Sequence, residues 1–190
     1  TGEGGALVTN DETLADKVRL LRSHGITRDN SLFEKSMGEK PAWYYEQISL
    51  GLNYRMSEIN AALGLSQLNK LDRFIEVRHQ LSRIYRHHLN ALNIGTFQSE
   101  ELNLRSSHHL EVLRLNDPKV RDELYETLKL NRVGCNVHYI PVYKHPYYQR
   151  LKDWPLLENA ELYYKTALSL PLHQKLSQTE IKAVCDLIAS

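Results

Sequence analysis

The sequence predicts a chain of mixed α/β class that is organised in two lobes. Near the N-terminus a short apolar run leads directly into a capped helix, and in the last third of the chain apolar strand patterns again alternate with helical ones. Between these regions, one long series of apolar positions has helical spacing. At 190 residues the chain is long enough to bury a core in one domain or in one and a half.

The first strand and helix are predicted in the segment GALVTN and the residues that follow it. Ala6 to Thr9 form a short apolar run, and Asn10 or Asp11 then supplies a side chain that caps a helix. The apolar positions of this helix are Leu14, Val18 and Leu21. Gly25 follows at a position typical of a helix end. The pattern therefore predicts a strand, a helix and a turn in succession.

About thirty residues after Gly25 show no periodicity, which is long for an idle connection and typical of a functional loop. At its end, Asn53 and Arg55 precede Ser57, the predicted N-cap of the next helix. An amide donor, a guanidinium and the positive end of a helix together favour an anion site. The alternative is that Asn53 is a turn residue and Arg55 a surface charge. At the start of the loop, His24 either lines a cleft or is solvated beside the helix end.

The helix that begins after Ser57 carries apolar positions at helical spacing as far as Gly95. A helix of that length either breaks near Asp72 or forms a strut between two lobes, and both interpretations place a domain boundary nearby. We therefore expect a first domain over residues 1–70 and a second over residues 71–190.

The second lobe is predicted to alternate strands with helices. Beyond a polar loop, NIGTFQSEELNLRSS, the predicted elements are a strand in HHLEVLRL, a helix capped by Asp117, a strand in RVGCNVHYIP, a helix from Glu158 to Leu168, an extended SLPL and a last helix. Ser177 and Glu180 have the spacing of a capping box at the start of that last helix. This order predicts a small α+β lobe with helices on one face of a sheet.

Composition argues against several classes of partner. The 24 Lys and Arg residues balance 23 Asp and Glu residues, and a net charge of +1 provides no global field to attract nucleic acid or an anionic membrane. No apolar run approaches the ~20 residues of a membrane span. Cys135 and Cys185 lie far apart without a CxxC partner, which indicates two buried thiols and a reducing, cytoplasmic setting.

Motifs of self-contained catalysis are missing from the sequence. It has no GxSxG, P-loop or HExxH motif, and GEGGA lacks the glycine spacing of a dinucleotide site. His79, His87 and His88 have no carboxylate or cysteine in register, so we expect them on the solvated surface and predict no metal site.

Aromatic and imidazole side chains crowd the segment VHYIPVYKHPYY between two prolines. His138, Tyr139 and Tyr148 are of the type that stacks on a sugar or donates hydrogen bonds to a phosphate. The alternative is that these residues form the aromatic core of the second lobe.

Five segments of the chain together resemble one known family. TGEGGALVTND, RSHGI, LGLNYRMSEINAALGLSQLNKLD, VHYIPVYKHPYY and SLPLH occur in this order in the DegT/StrS family of nucleotide-sugar aminotransferases. The resemblance covers essentially the whole chain, and GLNYRMSEINAALGLSQL is a highly specific block. Within the family, the chain is most similar to the pseudaminic-acid branch, which aminates C4 of a UDP-linked 4-keto-6-deoxy-N-acetyl sugar.

This resemblance implies a fold-type I enzyme with pyridoxal phosphate as cofactor and an amino-acid donor, glutamate. In such enzymes the lysine that forms the Schiff base lies a few residues before a TxEGG segment, so we expect it upstream of Thr1 and assign no catalytic residue within the chain. Residues 1–70 would then be the C-terminal remnant of the large cofactor-binding domain. Residues 71–190 would be the linking helix and the small α+β domain. The chain alone is therefore expected to be inactive.

The resemblance also implies roles for individual residues. Asn53 corresponds to a hydrogen-bond donor to the cofactor phosphate of the neighbouring subunit, and Arg55 would support the same anion. The substrate-binding candidates are His138, Tyr139, Tyr148 and His24.

A site completed across subunits implies a homodimer, with the loop AWYYEQISLGLNYRM crossing the interface. Trp43, Tyr44 and Tyr45 are the aromatic residues expected to anchor it, unless they pack on their own chain. Two other functions stay open at this point. One is a deoxysugar dehydratase of the same family, with histidine in place of the lysine, and the other is a non-catalytic binding or dimerisation module.

Overall fold

A computed structural model describes residues 1–35, 38, 40–98 and 104–190 of the chain. It divides into two compact units, Thr1–Lys70 and Leu71–Ser190. Across these described ranges, no helix combines the length and the apolar character that crossing a bilayer requires.

The described part of unit 1 has two α-helices and a short antiparallel ladder. Its elements are α1 (Glu12–Leu21), β1 (Ile26–Thr27), a 3₁₀ turn (Asn30–Leu32), β2 (Glu46–Gln47) and α2 (Glu58–Leu68). β1 and β2 pair with Ile26 opposite Gln47. Asp11 is the N-cap of α1, because its carboxylate accepts a hydrogen bond of 3.1 Å from the Leu14 N–H. The predicted helix is thus confirmed, with Asp11 as its cap.

The strand predicted over Ala6 to Thr9 is wrong. These residues are not in a strand, and Leu7 and Val8 are 57% and 94% exposed. A strand needs a neighbour for its backbone N–H and C=O groups. No backbone hydrogen bond joins Ala6 to Thr9 to another segment within the described part of the chain.

The long helical pattern breaks between the two units. α2 ends at Leu68, and α3 (Leu71–Leu89) begins after Lys70, so the predicted break is confirmed and the single strut is wrong. Ser57 caps α2 as predicted, since its hydroxyl accepts from the Asn60 N–H at 3.3 Å.

Within its described residues, unit 2 has four longer helices and a three-stranded antiparallel sheet. After α3 its elements are β3 (Gly95–Phe97), β4 (Glu111–Leu115), α4 (Pro118–Leu130), α5 (Pro146–Gln149), α6 (Glu158–Thr166), β5 (Ala167–Leu170) and α7 (Gln178–Ala189). The strand order is β3-β4-β5, with Leu113 opposite both Phe97 and Leu168. The capping box of α7 is present, with Ser177 and Glu180 bonded to each other in both directions.

Three predicted boundaries in unit 2 are corrected. The strand predicted in RVGCNVHYIP is a single bridge between Asn136 and Ser169. The predicted polar loop contains β3 at its start, and its residues 99–103 lie outside the described part of the chain. The helix predicted to Leu168 ends at Thr166 instead, because Ala167–Leu170 pairs with β4. Pairing with β4 therefore takes residues that the sequence pattern assigned to a helix.

The core of unit 2 is an apolar cluster to which α3, β4, α4, β5 and α7 contribute buried side chains. Its fully buried members include Tyr85 and Leu89 of α3, Leu113 of β4, Leu128 of α4, Leu168 of β5 and Ile181 of α7. The one hydroxyl among them, that of Tyr85, donates to the Pro171 carbonyl at 2.9 Å. Cys135 and Cys185 are buried free thiols in the same cluster, as predicted.

Candidate functional site

Two glycines join the RSHGI and LGLNYR motifs of unit 1. Gly25 has φ +68 and lies against the Ser49 backbone, and Gly51 lies against the backbones of Gly25 and Leu21. A Cβ on either glycine would overlap these backbone atoms. The segment before Asn53 is therefore seated directly on the end of α1.

Backbone hydrogen bonds continue this contact as far as Asn53. The Leu52 N–H donates to the Leu21 carbonyl at 2.9 Å, and the His24 N–H donates to the Leu52 carbonyl at 3.0 Å. Asn53 itself forms an antiparallel bridge with Ser23. Asn53 is thus held by an isolated antiparallel bridge rather than by a turn, and it stands four residues before the N-cap of α2.

The side chains of Asn53 and Arg55 are exposed. Neither makes a hydrogen bond or an ion pair with any residue that the structure describes. The Asn53 amide and the Arg55 guanidinium together offer several N–H donors and one positive charge. They lie two residues apart on a backbone that hydrogen bonds hold in place. This arrangement suits an oxyanion such as a phosphate.

The opening segment Thr1–Gly5 lies along α2. The Asn60 amide donates to the Glu3 carbonyl at 3.3 Å. Met56 covers Gly4, and the methyl group of Thr1 lies at Gly64 one helical turn further on. The opening glycines therefore sit beside the same helix N-terminus that follows Asn53 and Arg55.

His24 ends α1 in an unusual backbone conformation. Its φ is +65°, in the left-handed region, and its carbonyl accepts a hydrogen bond from the Gln47 amide at 2.9 Å. The imidazole is half-buried and makes no hydrogen bond with the described residues. The His24 ring can therefore form a hydrogen bond with a bound molecule, but the geometry does not indicate which one.

In unit 2, His138 is held by two polar neighbours. Its Nδ1 lies 2.8 Å from the Ser169 hydroxyl, and its Nε2 lies 3.5 Å from the Asn136 amide nitrogen. Tyr139 stacks edge-on against His138 with ring centroids 4.6 Å apart and remains 74% exposed. The pair presents an oriented imidazole beside an exposed aromatic face, so the alternative that Tyr139 is a core residue is wrong.

Tyr148 lies in α5, further along the same segment. Its ring packs edge-on against Tyr147 at 5.2 Å, and its carbonyl accepts from the Trp154 indole at 2.9 Å. No hydrogen bond or ring contact joins Tyr148 to His138 among the residues described. The structure therefore brings His138 and Tyr139 together and leaves Tyr148 apart from them.

A cavity of about 410 Å³ lies next to this segment and has a partly buried ion pair in its wall. The Lys144 ammonium donates to the Glu161 carboxylate at 2.6 Å, and the Tyr143 hydroxyl donates to its other oxygen at 2.9 Å. These two hydrogen bonds hold the pKa of Glu161 below its ordinary value. They also tie the loop after Pro141 to α6.

The three aromatic residues expected at an interface are in different environments. Trp43 and Tyr45 are 72% and 52% exposed, whereas Tyr44 packs edge-on against Phe33 at 5.3 Å. The Tyr44 hydroxyl donates to Glu46 at 3.0 Å. Tyr44 thus packs on its own chain, and Trp43, whose ring centroid lies 6.4 Å from that of Tyr44, and Tyr45 are exposed.

Sequence reasoning missed Glu46, which organises the loop. Its carboxylate is 8% exposed and accepts from the Glu34 N–H at 2.7 Å, the Tyr44 hydroxyl at 3.0 Å and the Lys40 ammonium at 3.3 Å. Burial raises the pKa of Glu46, but the Glu34 N–H and the other donors outweigh burial, and the net pKa is lowered. A lone glutamate in a loop carries no sequence signal for this role.

The candidate residues thus form two groups, each described within its own unit. His24, Asn53 and Arg55 belong to unit 1, and His138, Tyr139 and Tyr148 belong to unit 2. Within the described ranges, no three His, Cys, Asp or Glu side chains are arranged to hold a metal ion.

A known protein family and several curated proteins are similar to this chain. The model of the DegT/DnrJ/EryC1/StrS aminotransferase family matches residues 1–189. The chain is 35% identical over 198 residues to the UDP-4-amino-4,6-dideoxy-N-acetyl-beta-L-altrosamine transaminase of Campylobacter jejuni, covering 100% of this chain and 48% of that relative. It is 37% identical over 199 residues to the spore coat polysaccharide biosynthesis protein SpsC of Bacillus subtilis, covering 99% of this chain and 49% of SpsC.

Among solved structures, the chain is similar to Helicobacter pylori PseC, described as an aminotransferase involved in the biosynthesis of pseudoaminic acid. The TM-score is 0.82 at 29% identity, over 95% of this chain and 46% of PseC. This likeness confirms the predicted α/β aminotransferase fold. The chain spans about half the length of the curated relatives it matches. With its family model matched over nearly every residue, the chain belongs to the DegT/DnrJ/EryC1/StrS aminotransferase family.

Proposed function

We propose that this chain forms part of a pyridoxal-phosphate-dependent aminotransferase that transfers an amino group from L-glutamate to C4 of a UDP-linked 4-keto-6-deoxy-N-acetyl sugar. The product would serve the synthesis of a surface polysaccharide or a pseudaminic-acid glycan in the cytoplasm. The observation that carries the proposal is the pair of Asn53 and Arg55, which have no polar partner among the described residues. The contact between Gly25 and Gly51 fixes the segment before them, and the Campylobacter jejuni relative is named as a transaminase.

The residues present fit the phosphate of the cofactor. A phosphate dianion needs several N–H donors and a positive charge, and Asn53 and Arg55 supply both without any competing partner in the described chain. We assign the Asn53 amide as a donor to a phosphate oxygen and Arg55 as the neighbouring charge. When bound, pyridoxal phosphate carries the amino group between the amino-acid donor and the keto sugar.

The sugar nucleotide is assigned to the second group of residues. The exposed face of Tyr139 suits stacking on a sugar or base, and His138 provides an oriented hydrogen-bonding nitrogen beside it. Tyr148 is assigned as a further candidate contact of the sugar nucleotide within unit 2, and His24 stays a separate candidate ligand-binding residue within unit 1. Their rings are accessible, and no described side chain forms a hydrogen bond with either ring.

We propose a homodimer in which Asn53 serves the cofactor of the neighbouring subunit. Trp43, Tyr45 and Leu50 of the preceding loop are exposed by 72%, 52% and 88%, and α2 exposes Ile59 by 81%. Apolar exposure of this extent is typical of a surface that a partner covers.

No lysine of the chain is assigned to anchor the cofactor, so the 190 residues alone are proposed to be inactive.

The test is an assay of the whole gene product with the UDP-4-keto sugar, L-glutamate and pyridoxal phosphate. Mass spectrometry is expected to show replacement of the keto oxygen by an amine, with one 2-oxoglutarate formed per product. A deoxygenated product without the amine would indicate a dehydratase instead. Absence of any cofactor absorbance after incubation with pyridoxal phosphate would favour a binding module.

Cofactor affinity tests the assignment of Asn53 and Arg55. Asn53→Ala is expected to weaken pyridoxal-phosphate binding about tenfold, because a hydrogen bond to a charged group is lost. Asn69→Ala is the matched control, since Asn69 is an exposed asparagine at the other end of α2. Equal affinities for the two variants would remove Asn53 from the phosphate site.

A further inference from the structure

Two helices of unit 2 form the walls of a further cavity. It has a volume of about 590 Å³ and lies between α3 and the start of α7. Both helices belong to one core cluster, to which α3 contributes Leu81 and Tyr85 and α7 contributes Ile181 and Cys185. The walls of the cavity are therefore held in place by the core of the unit.

Most of the charged side chains of this cavity wall are basic. α3 contributes Arg83, His87 and His88, and α7 contributes Lys182; we call these four residues the basic cluster. Arg83 and His87 are one helical turn apart, so they lie on the same face of α3. Among the residues that the structure describes, no carboxylate lines the cavity. Because the whole chain has a net charge of only +1, the cluster concentrates positive charge locally.

Three members of the basic cluster have unused N–H groups. His87, His88 and Lys182 make no hydrogen bond and no ion pair within the described part of the chain. The two imidazole rings contact each other edge-on, with centroids 5.3 Å apart. A neutral imidazole has one N–H group in either tautomer and a protonated one has two, so each ring can donate whatever its protonation state.

Neighbouring carboxylates do not neutralise the basic cluster. The Arg83 guanidinium lies 3.6 Å from the Glu76 carboxylate, but the two side chains are 69% and 49% exposed, so the pair is weak. Glu180 of α7 is engaged in the capping box. Asp186, one turn beyond Lys182, makes no ion pair with a described residue. The positive charge therefore remains available to a ligand.

We propose that the basic cluster binds a small multivalent oxyanion of the phosphate class, such as diphosphate or a phosphate monoester. Arg83 presents a planar fork of donors that matches two phosphate oxygens, and Lys182 adds a second permanent charge from the facing helix. The Gln178 amide and the Thr179 hydroxyl supply further donors in the wall. Small-molecule sites commonly have volumes of roughly 300–1,000 Å³. The site uses none of the residues assigned to the proposed function.

Equilibrium dialysis of the whole gene product against radiolabelled diphosphate tests the site. The double variant Arg83→Ala/Lys182→Ala should bind one diphosphate fewer per chain than the wild type, because both permanent charges of the cavity are lost. The two side chains are exposed, so these substitutions should leave the fold intact. Equal stoichiometries for the two proteins would overturn the proposal.

Single substitutions separate the effect of this site from that of net charge. Lys182→Ala should weaken diphosphate binding at the site about tenfold, whereas Lys182→Arg keeps the charge and should stay within about twofold of the wild type. Lys119→Ala is the matched control, since Lys119 is an exposed lysine of α4 without an ion pair in the described chain. Similar losses from Lys182→Ala and Lys119→Ala would indicate diffuse attraction by net charge and would refute a site.

The outcome does not depend on the proposed aminotransferase activity. Asn53→Ala alters the proposed phosphate site of the cofactor, and in that background the double variant should still bind one diphosphate fewer per chain. A protein that aminates no nucleotide sugar would defeat the proposed function, while the difference in stoichiometry would still decide the basic cluster.

Discussion

Gly51 packs its backbone directly onto that of Gly25, and neither position has room for a Cβ. This contact joins the end of α1 to the segment that carries Asn53, two residues further along. The position of Asn53 therefore depends on two residues that have no side chain and that lie 26 positions apart in the sequence (51 − 25 = 26). Any substitution that separates the two backbones should displace the candidate phosphate donor.

Gly51→Ala is the first test of this dependence. The added methyl group would overlap the Gly25 backbone, so we expect the free energy of unfolding to fall by more than about 2 kcal/mol. Cofactor affinity should fall with it, as measured by titration with pyridoxal phosphate. Gly5→Ala is the matched control, because a Cβ at Gly5 meets nothing within 4 Å. Comparable losses in the two variants would show that the contact is unimportant.

Glu46→Gln should change how stability depends on pH. The folded pKa of Glu46 lies below its ordinary value of 4.5, so the ionised carboxylate stabilises the fold above that pH and loses this effect as pH falls through the folded pKa. We expect the variant to melt at a lower temperature than the wild type at neutral pH, and the difference to shrink on acidification. Thermal unfolding monitored by circular dichroism at several pH values measures it. A difference that is constant with pH would contradict the prediction.

Leu128 and Leu130 provide a matched pair for the core of unit 2. Both lie in α4, but Leu128 is 0% exposed and Leu130 is 82% exposed. Leu128→Ala should reduce the free energy of unfolding by about 2–5 kcal/mol, because it leaves a cavity among packed side chains. Leu130→Ala should change it by less than about 0.5 kcal/mol. Chemical denaturation monitored by tryptophan fluorescence compares the two, and similar values would refute the assigned core.

Cys185 should be inert in the folded protein. Burial raises the pKa of its thiol to about 11 from the ordinary value of 9.0, so the reactive thiolate is about a hundredfold rarer than for a free cysteine below pH 9. Burial also raises the pKa of Cys135. A thiol reagent such as DTNB should therefore label both residues only after unfolding in guanidinium. Rapid labelling of the native protein would show that one thiol is accessible.

The helices of this protein were largely predictable, because their signals are local. Asp11, Ser57 and Ser177 each accept a hydrogen bond from the backbone N–H of the third residue of the following helix. A cap of this kind involves only neighbours in the sequence. The break after α2 was one of two alternatives predicted from the sequence, the other being a single long helix.

The strands were predicted less well, because a strand exists only where another segment pairs with it. Ala6 to Thr9 has a suitable pattern and pairs with nothing in the described chain, whereas Gly95–Phe97 has the sequence pattern of a loop and pairs with β4. In RVGCNVHYIP the alternation was real, but only Asn136 meets β5. Long-range pairing, and not local pattern, decided these three segments.

The sequence by itself determined the family and the N-caps of three helices, since these follow from motifs and from contacts between near neighbours. Only the tertiary structure decided the positions and the hydrogen-bond partners of the candidate site residues. Gly25 positions Asn53 across a loop, and Ser169 orients His138 from a strand 31 positions away. Such contacts join distant segments through backbone packing and hydrogen-bond direction, which no local pattern of residues encodes.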